Sequence, residues 1–418
     1  MTGGPSPRAG TEQPDPGHPR TETVALPDAL GRRLAQTLHA PASLPRFDDS
    51  QMDGYAVRAA ETPGTLDITA PVAAGTVPEA LPSGCAAPVM TGAPIPAGAD
   101  AVIPVEATST RNFADTGSTD RSSTESAAAP QRVLVPATSP GAFLRRRGSD
   151  VVHGEEVLAA GAVLTAAGVG LLAAFGLTEV DVLRRPRALV IVGGDEVLAP
   201  GRDLPPGKVY DANGSLLAGW AASRGLEVLA VRLIDDDVAD FVERLRADLS
   251  DTRPELIITS GGISAGRYEV MRQGFAVMDE ITFDVGTVAM QPGGPQGLGT
   301  AALPGGGEAA VICLPGNPVS TWVSCEAMLA DALAEAWGLN QPQPWVPAQL
   351  AWPVQPLAEK DQLRRGTLQH TPAGIIAAPM TGTSSHLLAA AATAEALIRV
   401  PAGAQELPAG ATVTVRRL

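Results

Sequence analysis

From residue 185 onwards, apolar runs that end in Gly- and Asp-rich loops alternate with segments of helical periodicity. The apolar runs are ALVIVGGDE, LEVLAVRLIDDD, ELIITSGGIS and AAVICLPGNP, and the helical segments are GSLLAGWAASRG, VADFVERLRADL and VSTWVSCEAMLADALAEAWG. Continuous apolar strands joined by helices are typical of a parallel sheet covered on both faces. We therefore predict a doubly wound parallel α/β domain, whose ligand would bind beyond the carboxyl ends of the strands.

The rest of the chain has shorter apolar runs broken by Pro and Gly, which predicts β-structure with tight turns. A polar Ser/Thr/Ala tract at 107–131 predicts a flexible loop. The fold class that follows is α/β multidomain. The predicted division is a disordered lead at 1–20, a small N-terminal α/β domain split over 21–45 and 151–184, an inserted β-rich domain at 46–150, the α/β sheet domain at 185–340 and a C-terminal β-domain at 341–418.

One stretch, between Glu156 and Glu179, carries no charge and is long enough to raise the question of a transmembrane helix. It is rich in Ala and Gly. Thr165 and Gly176 stand where the N-cap and the C′ glycine of a shorter helix belong. We therefore predict a buried helix between these two residues, and no membrane span.

Charge narrows the range of partners. The chain has 45 acidic and 30 basic side chains, a formal net charge of −15, which disfavours nucleic acid and membrane surfaces as partners. An anionic ligand would need local capture by backbone N–H groups, helix N-termini or a divalent cation. The three cysteines show no CxxC spacing and the N-terminus has no apolar signal segment, so we predict a cytoplasmic protein without disulfides.

Two glycine-containing loops are candidates for anion binding. In the first, glycines let backbone N–H groups approach an anion closely and hydroxyls add donors, although a plain strand-to-helix turn is an equally good interpretation of this segment alone. The second also follows a strand and starts a helix, and its prolines stiffen the turn. The candidate residues are Thr259, Ser260, Gly261, Gly262, Ser264 and Gly266 in the first loop, and Pro315, Gly316, Asn317 and Pro318 in the second.

Acidic residues follow the same strands. Asp195 and Glu196 close a buried-type strand without a cationic neighbour in sequence, and carboxylate oxygens suit Mg²⁺ better than zinc. For Asp211 and Asp236, helix capping or a solvated turn is the preferred interpretation. Taken alone, Asp53 is a turn residue, and the five scattered histidines give no metal-ligand spacing.

These motifs resemble the molybdenum insertases, which comprise the bacterial MoeA-type proteins and the E domain of gephyrin. The resemblance is collinear from about residue 24 to the C-terminus. It runs through DDSQMDGYAVR, MTGAPIPAGADAVIPVE, RRRGSD, GGDEVLAPG, VYDANG, TSGGISAG and LPGNPVS. Any one of these segments could match by chance, but seven in family order are specific.

The resemblance implies an elongated homodimer of four-domain subunits, with a sheet domain of the molybdopterin-binding type. Adenylylated molybdopterin and molybdate would react in the presence of Mg²⁺ to give molybdenum cofactor and AMP. A molybdopterin adenylyltransferase and acceptor molybdoenzymes would be protein partners. Because the substrate is a diphosphate-linked anion, positioning and electrostatic stabilisation would be sufficient, and we expect no protein nucleophile.

The resemblance also implies roles for particular residues. Glu269 stands where the family usually has Asp, and Arg272 where it often has Lys. Arg365 and Ser385 match C-terminal positions that would face the cleft, from the partner subunit. The implied catalytic residues are Asp53, Thr91, Asp150, Glu196, Asp235 and Glu269, the implied metal ligands are Asp195, Glu196 and Glu269, and Arg272, Arg365 and Ser385 join the two loops as substrate-binding residues.

Three departures from the family pattern bear on activity. Where lysines are usual, this chain has Thr287, Gln291 and Gly294, which leaves Arg272 and the Arg145–Arg147 run as candidate cations. Gly194 replaces a usual hydroxyl before the Asp-Glu pair, and the amphipathic helix that normally opens the family is missing. A non-catalytic pterin-binding scaffold and an insertase for tungstate therefore remain alternatives to the active molybdenum insertase.

Overall fold

The computed structural model describes residues 21–73, 75–111, 132–262 and 269–418. The predicted disordered lead lies outside these ranges, as does most of the predicted flexible loop. The chain divides into two compact units, one over Arg20–Leu183 and one that contains Arg184–Leu418. The five predicted domain boundaries remain predictions.

The first unit is built mainly of β-structure. Its helix and strands are β1 (Thr21–Ala25), β2 (Leu38–His39), β3 (Asp49–Ser50), β4 (Gly54–Val57), β5 (Gly64–Ile68), β6 (Cys85–Val89), β7 (Ala101–Pro104), β8 (Arg132–Val135), β9 (Leu144–Arg145), β10 (Glu156–Leu158), α1 (Ala166–Ala174) and β11 (Glu179–Leu183). A five-stranded sheet has the order β7-β4-β6-β5-β8, and the pairs β1–β11, β2–β10 and β3–β9 join strands far apart in sequence. Along β4, Tyr55 and Val57 join one apolar core and Ala56 another, as the two-residue repeat of a strand requires.

The short helix predicted in the uncharged stretch is present as α1. The Thr165 hydroxyl accepts a hydrogen bond from the Gly168 N–H, and Gly176 has a φ of 87° just beyond the helix, so both predicted caps are confirmed. The prediction that the helix is buried was wrong, because only Gly168 and Leu172 are buried. Within the described ranges, no helix is both long and apolar enough to cross a membrane.

The second unit contains the α/β sheet and a C-terminal barrel. Strands and helices alternate through its first part, as the apolar pattern predicts. Its elements are β12 (Arg187–Gly193), β13 (Val197–Leu198), β14 (Val209–Tyr210), α2 (Asn213–Ser223), β15 (Glu227–Ile234), α3 (Val238–Thr252), β16 (Leu256–Ser260), α4 (Val270–Ala276), β17 (Ile281–Thr287), β18 (Met290–Gln291), β19 (Pro295–Ala302), β20 (Glu308–Leu314), α5 (Pro318–Ser324), a π-helical turn (Cys325–Leu329), α6 (Ala330–Trp337), β21 (Val346–Leu350), β22 (Asp361–Thr371), β23 (Gly374–Pro379), α7 (Leu388–Ala392), β24 (Ala396–Val400) and β25 (Thr412–Arg417).

The α/β sheet has the order β15-β12-β16-β20-β19-β17 and is covered on both faces. Leu189 and Ile191 of β12 pack with α3 and α4, whereas Val190 and Val192 pack with α2 and α6. The doubly wound fold is thus confirmed, with two corrections. The sheet is mixed, because β19 and β17 pair antiparallel, and β15 is an edge strand in which only Ile234 is buried.

After the sheet, the chain forms a closed barrel. β22 pairs with both β23 and β24, and β21 and β25 complete the ring, so the barrel strands leave no open edge. Arg416 of β25 connects the barrel to the α/β sheet domain. Its guanidinium donates to the Glu326 carbonyl and to the Asp331 carboxylate and lies 4.7 Å from the centre of the Trp345 ring.

Candidate functional site

A cavity of about 760 Å³ lies at the carboxyl ends of β12, β16 and β20. Residues 193–194, 260–262 and 315–318, which follow these three strands, line it together with the start of α2. Parallel strands present their carboxyl ends at one sheet edge, which explains why loops distant in sequence meet at this cavity.

Two glycines let these loops approach each other closely. A Cβ atom on Gly261, which has a φ of 85°, would lie 2.8 Å from the Gly193 carbonyl oxygen. A Cβ atom on Gly316 would lie 3.3 Å from the Gly261 Cα. The loops therefore meet backbone to backbone, which only glycine permits at Gly261. A side chain at either position would meet the backbone of a neighbouring loop.

A buried polar network fixes the relative positions of the two predicted loops. Asn213 donates from Nδ2 to the Ser260 hydroxyl at 2.9 Å and to the Gly316 carbonyl at 2.7 Å. The Ser260 and Thr321 hydroxyls both donate to the Pro315 carbonyl, at 3.0 and 2.5 Å. Such a network orders loops that carry few side chains. Asn213 was missed by the sequence analysis, although it stands two residues after Asp211 in the VYDANG motif.

Asp211 performs two tasks in this structure. Its Oδ1 accepts a hydrogen bond from the Gly214 N–H at 2.8 Å, and the residue also lines the cavity. The helix-capping interpretation is therefore confirmed. Because α2 starts at Asn213, this cap also holds the side chain that joins the two loops.

We expect Asp211→Ala to lower the free energy of unfolding by about 1 kcal/mol, because a helix N–H loses its acceptor. Asp211→Asn retains an acceptor oxygen and should lose less. Urea unfolding of the parent and both variants measures this difference. Equal losses in the two variants would contradict a capping role.

Carboxylates gather at the same edge of the sheet. Glu196, Asp236 and Glu269 line the cavity together with Asp211. The Asp195 Oδ1 accepts a hydrogen bond from the Asp236 N–H at 2.9 Å, and Asp195 itself does not line the cavity. Lys208, which is distant in sequence, lies beside this acidic pair, with its Nζ 2.6 Å from the Asp195 carbonyl oxygen.

Asp236 is not the helix cap that its position suggests, since Asp237 accepts the N–H groups that start α3. Desolvation raises the pKa of Asp236, and four neighbouring carboxylates raise it further. These neighbours are Asp195, Glu196, Glu269 and Asp235. The folded protein therefore disfavours the ionised form of Asp236.

Asp236→Asn is accordingly expected to raise the unfolding midpoint at neutral pH when divalent cations are absent. A group whose pKa is raised on folding destabilises the fold when ionised, and this effect disappears as pH falls through the raised pKa towards the unfolded value. The gain should therefore shrink at acidic pH. Thermal unfolding of parent and variant across a pH series, in the presence of a chelator, measures it. A gain that is absent at neutral pH would contradict this account.

The glycine that precedes the Asp-Glu pair also affects the acidic cluster. Gly194 has a φ of 142°, and a Cβ atom there would lie 2.9 Å from the Glu196 Oε2. In this chain the Glu196 carboxylate thus occupies the space that a side chain at position 194 would fill. The glycine at 194, where the family usually has a hydroxyl residue, therefore permits the position that the Glu196 carboxylate takes at the cavity.

Two carboxylates that line the cavity, Glu196 and Glu269, offer oxygen ligands of the type that Mg²⁺ prefers. Among the described residues, no group of three or more His, Cys, Asp or Glu side chains is arranged to hold a metal ion. A site with one or two carboxylates that is completed by substrate phosphates is the usual arrangement for Mg²⁺. The residues present fit that arrangement.

Three other predicted residues of the second unit, Thr259, Arg272 and Asp235, are not among those that line the cavity. Thr259 is fully buried beside Cys313, whose pKa is raised to about 11 by burial. Arg272 is exposed, and its backbone N–H donates to the Gly262 carbonyl. Asp235 does not line the cavity, and Ser264 and Gly266 lie outside the described residues.

In the C-terminal barrel, Arg365 is buried and forms hydrogen bonds within its own domain. Its guanidinium donates to the carbonyls of Gly382, Ser384 and Leu387, so it fixes the loop that contains Ser385. Burial lowers the pKa of Arg365. The predicted role of these two residues at a cleft of the partner subunit remains a prediction.

The first unit contains three of the predicted catalytic residues. Thr91 donates to the Asp53 Oδ1 from its N–H at 2.7 Å and from its hydroxyl at 2.9 Å, and Asp150 is exposed. The structure thus brings Asp53 and Thr91 together. The candidate cations Arg145 and Arg146 form ion pairs within their own unit, with Asp49 and Asp48.

Three family models match the chain in order. MoeA N-terminal region (domain I and II) matches residues 8–176, a probable molybdopterin binding domain matches 189–335, and MoeA C-terminal region (domain IV) matches 347–418. Together they cover both units and the cavity described above.

Full-length relatives agree with these matches. A protein named molybdopterin molybdenumtransferase 2 from Mycobacterium tuberculosis is 39% identical over 414 residues, which is 95% of each chain, and a molybdopterin molybdenumtransferase from Haemophilus influenzae is 30% identical over 95% of this chain and 93% of its own. Two MoeA structures from Pyrococcus horikoshii superpose with TM-scores of 0.74 and 0.72 at 26% and 24% identity, covering 95% of this chain and 94% of theirs. The chain belongs to the MoeA family of molybdopterin molybdenumtransferases.

Proposed function

We propose that this chain is a molybdopterin molybdenumtransferase that uses molybdate and adenylylated molybdopterin to make molybdenum cofactor and releases AMP. The observation that supports it best is the convergence of three strand-end loops on one cavity, in a chain whose full length matches the family. Gly261 and Gly316 let these loops meet backbone to backbone, and glycine-containing loops of this kind can present peptide N–H groups to an anion.

The proposed reaction requires binding and positioning more than covalent catalysis. Backbone groups of the two loops would hold the phosphates, and the Asn213 hydrogen bonds fix the positions of the two loops relative to each other. Asp53, Thr91, Asp150 and Asp235 are proposed as further catalytic residues on the basis of their motif positions. Buried Ser260 orders the loops and contributes no nucleophile, because its hydroxyl already donates to the Pro315 carbonyl.

We propose that Mg²⁺ is the metal cofactor, held by Glu196 and Glu269 with oxygens from the substrate. When bound, Mg²⁺ would neutralise charge on the phosphate of the leaving AMP. A cation is needed in this cavity, because without one Glu196, Asp236 and Glu269 would repel an anionic substrate.

A non-catalytic pterin-binding scaffold is the second candidate. The cavity lining, all of it within the described residues, contains four carboxylates and no Lys, Arg or His side chain. This composition and the replacement of three usual lysines favour a protein that binds the pterin without capturing molybdate. Restoring Lys at 291 and 294 distinguishes the scaffold from the insertase. A scaffold should gain no molybdenum insertion from the two lysines.

Reconstitution of an apo-molybdoenzyme tests the proposed function. Purified protein, adenylylated molybdopterin, Mg²⁺ and molybdate should yield cofactor that activates the acceptor enzyme. Replacing molybdate by tungstate in competition identifies the preferred oxyanion. Acceptor activity that stays at the level of a reaction without this protein would sink the proposal.

We further propose a cytoplasmic homodimer that receives its pterin from a molybdopterin adenylyltransferase and delivers cofactor to acceptor molybdoenzymes. The three cysteines are free thiols, as expected in a reducing compartment. Sedimentation velocity at several protein concentrations tests the dimer.

A further inference from the structure

The proposed substrate is an anion, and the cavity that would bind it is lined by carboxylates. Four carboxylates line it, and its described lining has no basic side chain. A diphosphate would enter this cavity against like charge unless a cation accompanies it.

Lys208 places an ammonium group beside the acidic cluster. Its Nζ lies 2.6 Å from the Asp195 carbonyl oxygen, and the next residue in the chain, Val209, lines the cavity. Lys208 and Lys360 are the only lysines in the sequence, whereas arginine supplies the other basic side chains. An ammonium on a flexible stem carries three donor protons, and the hydrogen bond to Asp195 uses one.

The backbone around Lys208 keeps its stem at the rim of the cavity. Its N–H donates to the Pro205 carbonyl at 3.2 Å. The next N–H, that of Val209, donates to the Glu196 carbonyl at 2.8 Å, and this bond ties the loop to the acidic segment. The ammonium can therefore leave the Asp195 carbonyl by rotating side-chain bonds alone.

From this geometry we propose that Lys208 is a substrate-binding residue, whose ammonium moves from the Asp195 carbonyl to a phosphate oxygen of the bound substrate. The inference rests on the proposed function for the identity of that substrate, a diphosphate-linked nucleotide. Lys208 supplies, from a different loop, a cation that the segment containing Thr287, Gln291 and Gly294 lacks. A charge-assisted hydrogen bond of this kind is among the stronger ones available to a phosphate.

Having only two lysines makes a direct test possible in the unaltered protein. Lysine acetylation by an activated acetate ester is followed by mass spectrometry with and without saturating ADP and Mg²⁺, where ADP supplies the diphosphate. ADP should slow acetylation of Lys208 and leave Lys360, an exposed residue just before the barrel strand β22, unchanged. Equal acetylation of Lys208 with and without ADP would overturn the proposal.

Substitutions then separate charge from local structure. Lys208→Gln retains a donor for the Asp195 carbonyl but removes the charge, and Lys208→Arg retains the charge. The Kd for ADP, measured by calorimetry, should rise about tenfold in the Gln variant and remain near the parental value in the Arg variant. The dependence of Kd on salt should also weaken in the Gln variant. Lys360→Gln serves as the matched control and should bind ADP like the parent.

A merely structural Lys208 would give a different pattern. In that case the Gln variant would bind ADP like the parent, and any change would appear in the unfolding midpoint instead. A parent protein that does not bind ADP would also overturn the proposal. ADP binding does not depend on turnover. The ADP measurements therefore test the role of Lys208 even if the protein fails to insert molybdenum.

Discussion

Glu196→Gln is expected to slow molybdenum insertion by about a hundredfold, the loss typical when one preorganised electrostatic group is removed from an active site. The substitution keeps the size and one acceptor oxygen of the side chain but removes the charge proposed to hold Mg²⁺. Glu196 lines the cavity, and its carboxylate fills the space beside Gly194. Initial rates of cofactor formation at saturating Mg²⁺ and molybdate measure the effect.

The matched control is Glu335→Gln, which removes an exposed carboxylate from α6 and should retain the parental rate. Both variants should unfold at temperatures close to that of the parent. A folded Glu196→Gln protein that inserts molybdenum at the parental rate would show that this carboxylate has been assigned wrongly.

Gly261→Ala is expected to lower the free energy of unfolding by about 2–4 kcal/mol, the sum of a left-handed backbone penalty and an overpacking penalty. The added methyl group would lie 2.8 Å from the Gly193 carbonyl oxygen, so β12 and β16 would have to move apart at the cavity. We therefore expect ADP binding to weaken together with stability.

Gly201→Ala separates these two penalties. Gly201 has a similar φ of 88°, but a Cβ atom there meets nothing within 4 Å. This control should lose only about 1 kcal/mol and should bind ADP like the parent. Equal losses of stability in the two variants, measured by urea unfolding, would contradict the close approach of the loops.

The sequence predicted the parallel half of the α/β domain well because its signals are local. Continuous apolar runs predicted β12, β16 and β20, and VADFVERLRADL predicted α3, although its cap is Asp237 and not the predicted Asp236. The two candidate anion-binding loops were identified from their positions after strands. Capping residues such as Thr165 and turn glycines such as Gly176 act over a few positions, so a single sequence shows them.

The antiparallel half of the sheet gives a weaker signal. Strand β19, with the sequence PQGLGTAA, contains two glycines and little apolar character, and its strand conformation depends on pairing with β17 and β20. The segment VSTWVSCEAMLADALAEAWG predicts one helix, whereas the structure has α5, a π-helical turn and α6. Both differences reflect tertiary contacts that no local pattern records.

The contacts that build the site are also long-range. Asn213 reaches Ser260 across 47 positions and Gly316 across 103. Lys208 reaches Asp195 only because β13 and β14 pair and close the intervening loop. A sequence motif can nominate such residues, but the fold decides which of them meet.

Molybdate-dependent release of AMP tests the proposed function most directly. Purified protein is incubated with adenylylated molybdopterin and Mg²⁺, and AMP is quantified with and without molybdate. We predict stoichiometric AMP release that depends on molybdate and accompanies the formation of molybdenum cofactor. Tight binding of the pterin without any AMP release would contradict it and would favour the scaffold.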